Sequence, residues 1–220
     1  MASLPPRAEI QPDLWLDGRL ALWLPEAGLL AVADLHGGYA ESHRARGNLL
    51  PLWGDDEIAT RLQELIRDYA PRELLWLGDS LHTLHGQTAA EAFLRHASVP
   101  VTILAGNHDL RWARAAKRSE HRGRFWFHHG DASLAAPAGA IEIIGHHHPA
   151  LAWSDGAGTR LKLPALVASG RRLILPAFSP WAAGAPWNRQ LADDETLWAV
   201  APRRIFSLSR AQISPLSASA

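Results

Sequence analysis

Leu104-Ala105-Gly106-Asn107-His108-Asp109 is the stretch that decides the reading. The apolar run Val101 to Ala105 predicts a buried strand, and Gly106 predicts the turn that ends it. That turn delivers an amide, an imidazole and a carboxylate side by side. Taken singly, a polar turn after a strand is ordinary. Three other apolar runs in the chain end in the same way, at Asp34-Leu35-His36, Gly78-Asp79-Ser80-Leu81-His82 and Gly145-His146-His147-His148. A fifth candidate is His128-His129-Gly130. Together these ends offer N and O ligands for two metal ions.

The pattern around them is α/β. Leu29 to Ala33, Leu74 to Leu77 and Val99 to Ala105 read as strands. Tyr39 to Gly47, Asp55 to Tyr69 and Gln87 to Ala97 read as helices. Asp17-Gly18, between Leu14-Trp15-Leu16 and Ala21 to Leu24, predicts a hairpin. Leu110 to Arg118 is expected to continue as a basic helix. Phe125 to Phe127, Ala140 to Ile144, Leu161 to Ala168, Leu173 to Leu175 and Leu197 to Val200 read as further strands. Pro176 to Trp181 reads as a compact loop. Ligands in open α/β sheets sit outside the carboxyl ends of the strands, where the polar groups fall here.

The 220 residues fit one domain spanning 1–220, with 1–11 and 214–220 as loose tails. Hydrophobic residues make up 47%, enough for a large core, and the formal net charge is +0. A protein that coats a polyanion is basic throughout, so nucleic-acid contact would need a local patch. The absence of cysteine excludes disulfides, thiolate metal sites and cysteine nucleophiles. No apolar stretch approaches 18 residues, so no membrane span is expected, and no signal-peptide pattern is seen. A cytoplasmic enzyme is the expectation. The compositional anomaly is 12 histidines, gathered before turns.

Two adjacent divalent ions need several oxygen and imidazole ligands, with one carboxylate bridging them. Ions about 3.5–4 Å apart can clamp both sides of an in-line phosphoryl displacement. On a strand end, Asp-x-His would put both ligands on one side, because side chains alternate. The same would hold for His146 and His148.

The ordered set Asp-x-His, Gly-Asp, Gly-Asn-His-Asp and Gly-His-x-His, from Asp34 to His148, resembles the calcineurin-like metallophosphoesterase superfamily. The resemblance implies a four-layer α/β/β/α sandwich of two mixed sheets flanked by helices. It implies that Asp34, His36, Asp79 and His148 hold one metal. Asp79, Asn107, His129 and His146 would hold the other, with Asp79 as the bridge. The family's His directly before Gly selects His129 over His128, and His147 is the variable residue of its motif. His108 would stand near the leaving-group oxygen. Many members have Asp or Asn where this chain has His82, so the partner of His108 is either His82 or Asp109. Asp109 fits equally well as a cap for a helix starting near Leu110.

Ala40 to Gly47 with Pro51, the Gly-Asp-x-x-His form and Ile174 to Phe178 look like the PdeM-type, ligase-associated DNA damage response endonucleases. Gly37 replaces that branch's usual leucine, and His43 a more typical phenylalanine. The resemblance implies a phosphodiesterase acting on nucleic acid, associated with a DNA ligase and a helicase. The alternatives are a phosphatase or phosphodiesterase for small molecules such as nucleotides, and a non-enzymatic binding module. Without sulfur ligands, manganese is the expected metal, with iron or zinc as alternatives. Arg44 and the helically spaced Arg111, Arg114 and Arg118 are the candidate substrate contacts.

Overall fold

A computed structural model describes residues 5–217. The chain first lays down β1 (Arg7–Gln11), β2 (Leu14–Asp17), β3 (Ala21–Leu24) and β4 (Leu29–Val32). It continues through α1 (Tyr39–Arg44), α2 (Gly54–Tyr69), β5 (Glu73–Leu77), α3 (Gln87–His96) and β6 (Val101–Leu104). These strands form one sheet in the order β1-β2-β3-β4-β5-β6. Its first half is an antiparallel meander; β4, β5 and β6 are parallel.

The second sheet is built from β7 (Ser119–Arg122), β8 (Phe125–His128), β9 (Ile141–Ile144), β10 (Pro149–Ser154), β11 (Arg160–Ala168) and β12 (Arg172–Ile174). β13 (Ala185–Pro186), β14 (Thr196–Ala201) and β15 (Arg204–Ser209) complete it, and α4 (Arg210–Ser217) follows. Its order is β13-β10-β11-β12-β9-β8-β7, with β14 also pairing β11 and carrying β15. Within it, β8, β9 and β12 run parallel to one another.

The layers follow from alternation along the strands. On β11, Leu166 and Ala168 join the main core, while Ala165 and Val167 join an outer cluster. Leu173 and Leu175 point inward, and Ile174 between them points outward. Ile213 of α4 closes the outer cluster. On the other side, Ile58, Leu62, Leu65 and Ile66 of α2 pack into the main core. β4 is buried along its whole length, as a strand covered on both faces must be. The result is the α/β sandwich of two mixed sheets flanked by helices.

α2 begins with Asp55, Asp56 and Glu57, whose charges suit the helix N-terminus. It ends at Ala70 in a left-handed cap before Pro71.

Four expectations are corrected. Residues 7–11 are not a loose tail; they pair with β2. Residues 214–217 belong to α4, and the remainder of both expected tails, 1–4 and 218–220, lies outside the described residues. The Asp17-Gly18 hairpin turns through three residues, with Leu20 left-handed at φ 70°. Leu110 to Arg118 is a series of turns and not a helix. Trp112 and Ala115 are its buried anchors, and Lys117 returns to lie parallel to β6, its carbonyl accepting from Ala105 N–H at 2.7 Å.

Candidate metal centre

Parallel pairing brings the chemistry together. β4, β5 and β6 end side by side, presenting Asp34 and His36, then Asp79, then Asn107 and His108. β8 and β9 end side by side in the facing sheet, presenting His129 and His146. The two sets meet across the sheets. His129 Nδ1 lies 2.9 Å from the Leu77 carbonyl, and the His146 amide lies 3.1 and 2.9 Å from the two Asp34 oxygens. The Pro176–Trp181 loop closes behind them. Phe178 N–H donates to Ala33 O at 2.8 Å and Ser179 N–H to Asp34 O at 3.0 Å.

The aiming of these side chains is not the strand alternation expected from Asp-x-His. Asp34, His36, Asp79, His146 and His148 all have positive φ, from 46° to 66°. Such conformations cost about 1–3 kcal/mol each for non-glycine residues and cluster at functional sites. Neighbouring loops hold them there: His36 N–H donates to Asp79 O at 2.9 Å and Gly37 N–H to Ser80 O at 3.0 Å.

Glycine permits the close approach. A Cβ on Gly106 would stand 2.2 Å from Asp79 Oδ1 and 2.3 Å from its amide nitrogen. A Cβ on Gly145 would stand 2.6 Å from Asp34 Oδ2. The Gly-Asn and Gly-His pairs of the sequence are therefore needed for carboxylate and turn to touch.

Three donor groups result; one, His36 with His82 and His108, lies outward of the other two. Asp34, His36 and His148 converge, with His148 Nε2 3.3 Å from Asp34 Oδ1 and 3.2 Å from His36 Nε2. Asp79, His129 and His146 converge, with His129 Nε2 3.3 Å from Asp79 Oδ2 and 3.2 Å from His146 Nδ1. Asn107 is exposed at the turn after β6, next to His108, whose amide donates to Asp79 Oδ1 at 2.9 Å. His128 points away, bonded to Glu142 at 2.9 Å, and His147 lies outside all three groups against Trp187.

The chemistry of the donors fits divalent cations. All are carboxylate oxygens or imidazole nitrogens, and His129 donates from Nδ1 to the Leu77 carbonyl, which turns Nε2 toward Asp79, where a metal would replace its proton. His36 Nδ1 is a buried atom with no hydrogen-bond partner. Burial holds the His36 imidazolium down to about 4, so the ring is neutral at pH 7 and able to ligate.

His108 and His82 form the next group outward. His108 Nδ1 lies 2.9 Å from the His82 backbone oxygen, and the rings stack with centroids 5.0 Å apart. Burial, followed by the neighbouring His108, lowers His82 to about 4. Asp109 is neither the partner of His108 nor a helix cap. Its carboxylate is buried and accepts the amides of Ser80, Leu81 and Gly106 at 3.1, 2.9 and 3.1 Å. It clamps the β6 turn onto the β5 turn.

The expected arginine track does not form. Arg114 pairs with Glu91 at 2.8 Å and Arg118 with Asp131 at 3.1 Å, while Arg111 remains exposed. Lys117 and Arg122 both contact Glu120. Arg44 donates to Leu50 O at 3.1 Å. The sequence reading missed an aromatic row instead. From His108 it runs through His82 to Tyr39 at 4.7 Å, then to Trp181 at 6.0 Å and Trp53 at 4.9 Å. The available signal was the count of 10 tryptophans.

The fold and donor set define a metal-dependent phosphoesterase. The calcineurin-like phosphoesterase family model matches residues 28–199, and the chain belongs to that family. The fold is similar to the crystal structure of Pseudomonas putida nuclease MPE, at 23% identity and TM-score 0.70, covering 93% of this chain and 100% of that one. A looser likeness is to Yfce, a phosphoesterase from E. coli, at 14% identity and TM-score 0.44, covering 82% of this chain and 98% of that one. Among curated proteins, none matches. Among the described residues, no helix is long and apolar enough to cross a membrane.

Proposed function

We propose that this phosphoesterase hydrolyses phosphodiester bonds in nucleic acid, as an endonuclease. The observation that carries the nucleic-acid reading is the aromatic row from His108 to Trp53, whose two end rings are exposed and whose three inner rings are half-buried. Successive aromatic rings beside a phosphoester site suit unstacked bases, each stack being worth about 1–3 kcal/mol. The similar fold of a nuclease agrees with this reading. The PdeM-type motifs extend it to DNA repair, alongside a ligase and a helicase.

In this reading Asp34, His36 and His148 would hold one divalent cation, and Asp79, His129, His146 and Asn107 would hold the other, with Asp79 contributing to both. Bound there, two cations supply positive charge to the phosphoryl oxygens and lower the pKa of water. Manganese is the proposed metal, with iron or zinc as alternatives, since the donors are oxygen and nitrogen without sulfur. His108 donates from its ring to the departing oxygen, and the His82 carbonyl holds that ring by accepting a hydrogen bond from Nδ1–H. Asp109 keeps the two turns in register and takes no proton.

The test compares bis(p-nitrophenyl) phosphate with a DNA oligonucleotide, both in manganese. Trp181→Ala and Tyr39→Ala should lower kcat/KM for DNA about tenfold or more and lower it much less for the small diester. Equal losses on both substrates contradict the nucleic-acid reading. Hydrolysis of neither substrate contradicts phosphodiesterase function.

A further inference from the structure

A cleft of about 220 Å³ opens beside the candidate metal centre. His148 forms part of its wall, so the cleft meets the donor group directly. Ala177 and Pro180 bring the loop behind Asp34 into the same wall, while Arg61 and Lys162 enter from α2 and β11. No carboxylate is among its described lining residues. His108 is not among them either, so the cleft is separate from the aromatic row.

Arg61 is unusual in this setting. Its guanidinium lies 4.2 Å from the Phe178 ring centroid and donates to the Phe178 carbonyl. Its side chain is 14% exposed, and the carboxylate nearest its Nε is Glu57 at 3.5 Å, itself 47% exposed. Burial pushes the guanidinium below its ordinary value, against the pull of Glu57. A cation so poorly compensated gains most from a well-placed anion. The guanidinium fork matches phosphate oxygens, and the loop that Arg61 supports is the one that buttresses Asp34. Lys162 is exposed on β11, where its backbone pairs with Ala152, and supplies a second, flexible charge.

We propose that this cleft is a phosphate subsite, where Arg61 and Lys162 hold the phosphate next to the scissile one in the substrate strand. The inference rests on the nucleic-acid reading and deepens it. The departing oxygen faces His108, and the retained side of the strand enters this cleft past His148. The enzyme thereby prefers a diester with a neighbouring phosphate over an isolated one.

The experiment is calorimetric binding of TpT, pTpT and TpTp, at low salt, to the full chain carrying His108→Ala and loaded with manganese, so that the linking phosphate is held at the metals and cleaved slowly. TpT carries only its linking phosphate; the other two add one at either end. One of the two should bind about tenfold tighter than TpT, as expected of one charge-assisted contact, and which one gives the strand direction. Lys162→Ala and Arg61→Gln should each remove most of that gain. Lys162 is exposed, so its variant folds and carries the test if Arg61→Gln disturbs the Phe178 loop. The proposal is overturned if neither added phosphate tightens binding, or if Lys162→Ala leaves the gain intact. Inorganic phosphate binding as tightly as the better dinucleotide overturns the assignment to a strand. Hydrolysis of bis(p-nitrophenyl) phosphate by the metal-loaded wild type is scored separately. Its failure removes the phosphodiesterase reading, whereas the binding series removes only the subsite.

Discussion

His108 Nδ1 sits 2.9 Å from the backbone carbonyl of His82, with the two rings stacked 5.0 Å apart. The residue that orients His108 therefore does so through an atom that every amino acid carries. The His82 ring stacks on His108 and turns a ring nitrogen toward His36 and His108. That separates two effects which the sequence could not.

Replacing His108 by alanine should lower turnover on an alkyl diester by about 10²–10⁴-fold, with metal content retained. The loss should shrink for a nitrophenyl ester, whose leaving group needs no proton. His82→Ala keeps the carbonyl and should cost about tenfold or less. In the double variant it should add little. Steady-state kinetics of the three variants check this, and a His82→Ala loss as large as that of His108→Ala contradicts orientation by the carbonyl.

Asp109→Asn replaces an acceptor-only carboxylate facing three amides with a group that is half donor. At least one amide then faces an N–H₂, at a cost of about 1–3 kcal/mol. Chemical denaturation should show that loss, while the pH dependence of turnover keeps its shape. A shifted pH profile with unchanged stability would return Asp109 to proton transfer.

Gly106→Ala would drive a methyl into Asp79, whose oxygen and amide lie 2.2 and 2.3 Å from the new atom. Overpacking of this kind costs about 1–3 kcal/mol, and the carboxylate displaced is the proposed bridge. Thermal melts and metal content should both fall. Unchanged metal content would show that the turn can yield without moving Asp79.

The pair His129 and Asp79 sets a pH dependence for the chelated protein. Burial disfavours the His129 cation, but the Asp79 hydrogen bond outweighs burial and raises it to about 9. Burial also pushes the Asp79 carboxyl up, but the His129 hydrogen bond outweighs it and holds Asp79 at about 2. A raised histidine stabilises fully below its unfolded value of about 6.5, and that contribution is lost as pH rises through about 9. The Asp79 contribution is present above about 3.9 and is lost as pH falls through about 2. Melting temperature should thus fall between pH 6.5 and 9 with chelator present. Metal must displace the His129 proton, so apparent affinity should rise over the same window. A flat profile in chelator would contradict this pairing.

Much of this was legible in the sequence because it is local. Each apolar run ending in a polar turn names its own strand end, and α2 and α3 follow from spacing and flanking residues. What was missed is non-local. The Arg111, Arg114 and Arg118 spacing looks helical, but Glu91 and Asp131 pair with two of them from distant segments. β7 is the polar run Ser119 to Arg122, made a strand by β8 beside it. β15 does alternate from Phe206 to Ser209, with Phe206 and Leu208 on the outer cluster, and its hairpin with β14 could have been read from the Pro202-Arg203 turn. The left-handed backbone at Asp34 and Asp79 is marked in residue type only by the general tolerance of Asp for that region, and the His82 carbonyl is not marked at all. Arg61 lies on the amphipathic α2, and nothing in its residue type or spacing marks the Phe178 ring packed against it.

The central claim is a two-metal site bridged by Asp79, and counting metal tests it most directly. Purified wild type and Asp79→Asn, each loaded with manganese and desalted, would be analysed for bound metal per chain alongside diester turnover. Wild type should carry two ions, and Asp79→Asn should carry at most one with its turnover abolished. Two retained ions and near-normal turnover in Asp79→Asn, or a fully active wild type holding one ion, would contradict the account.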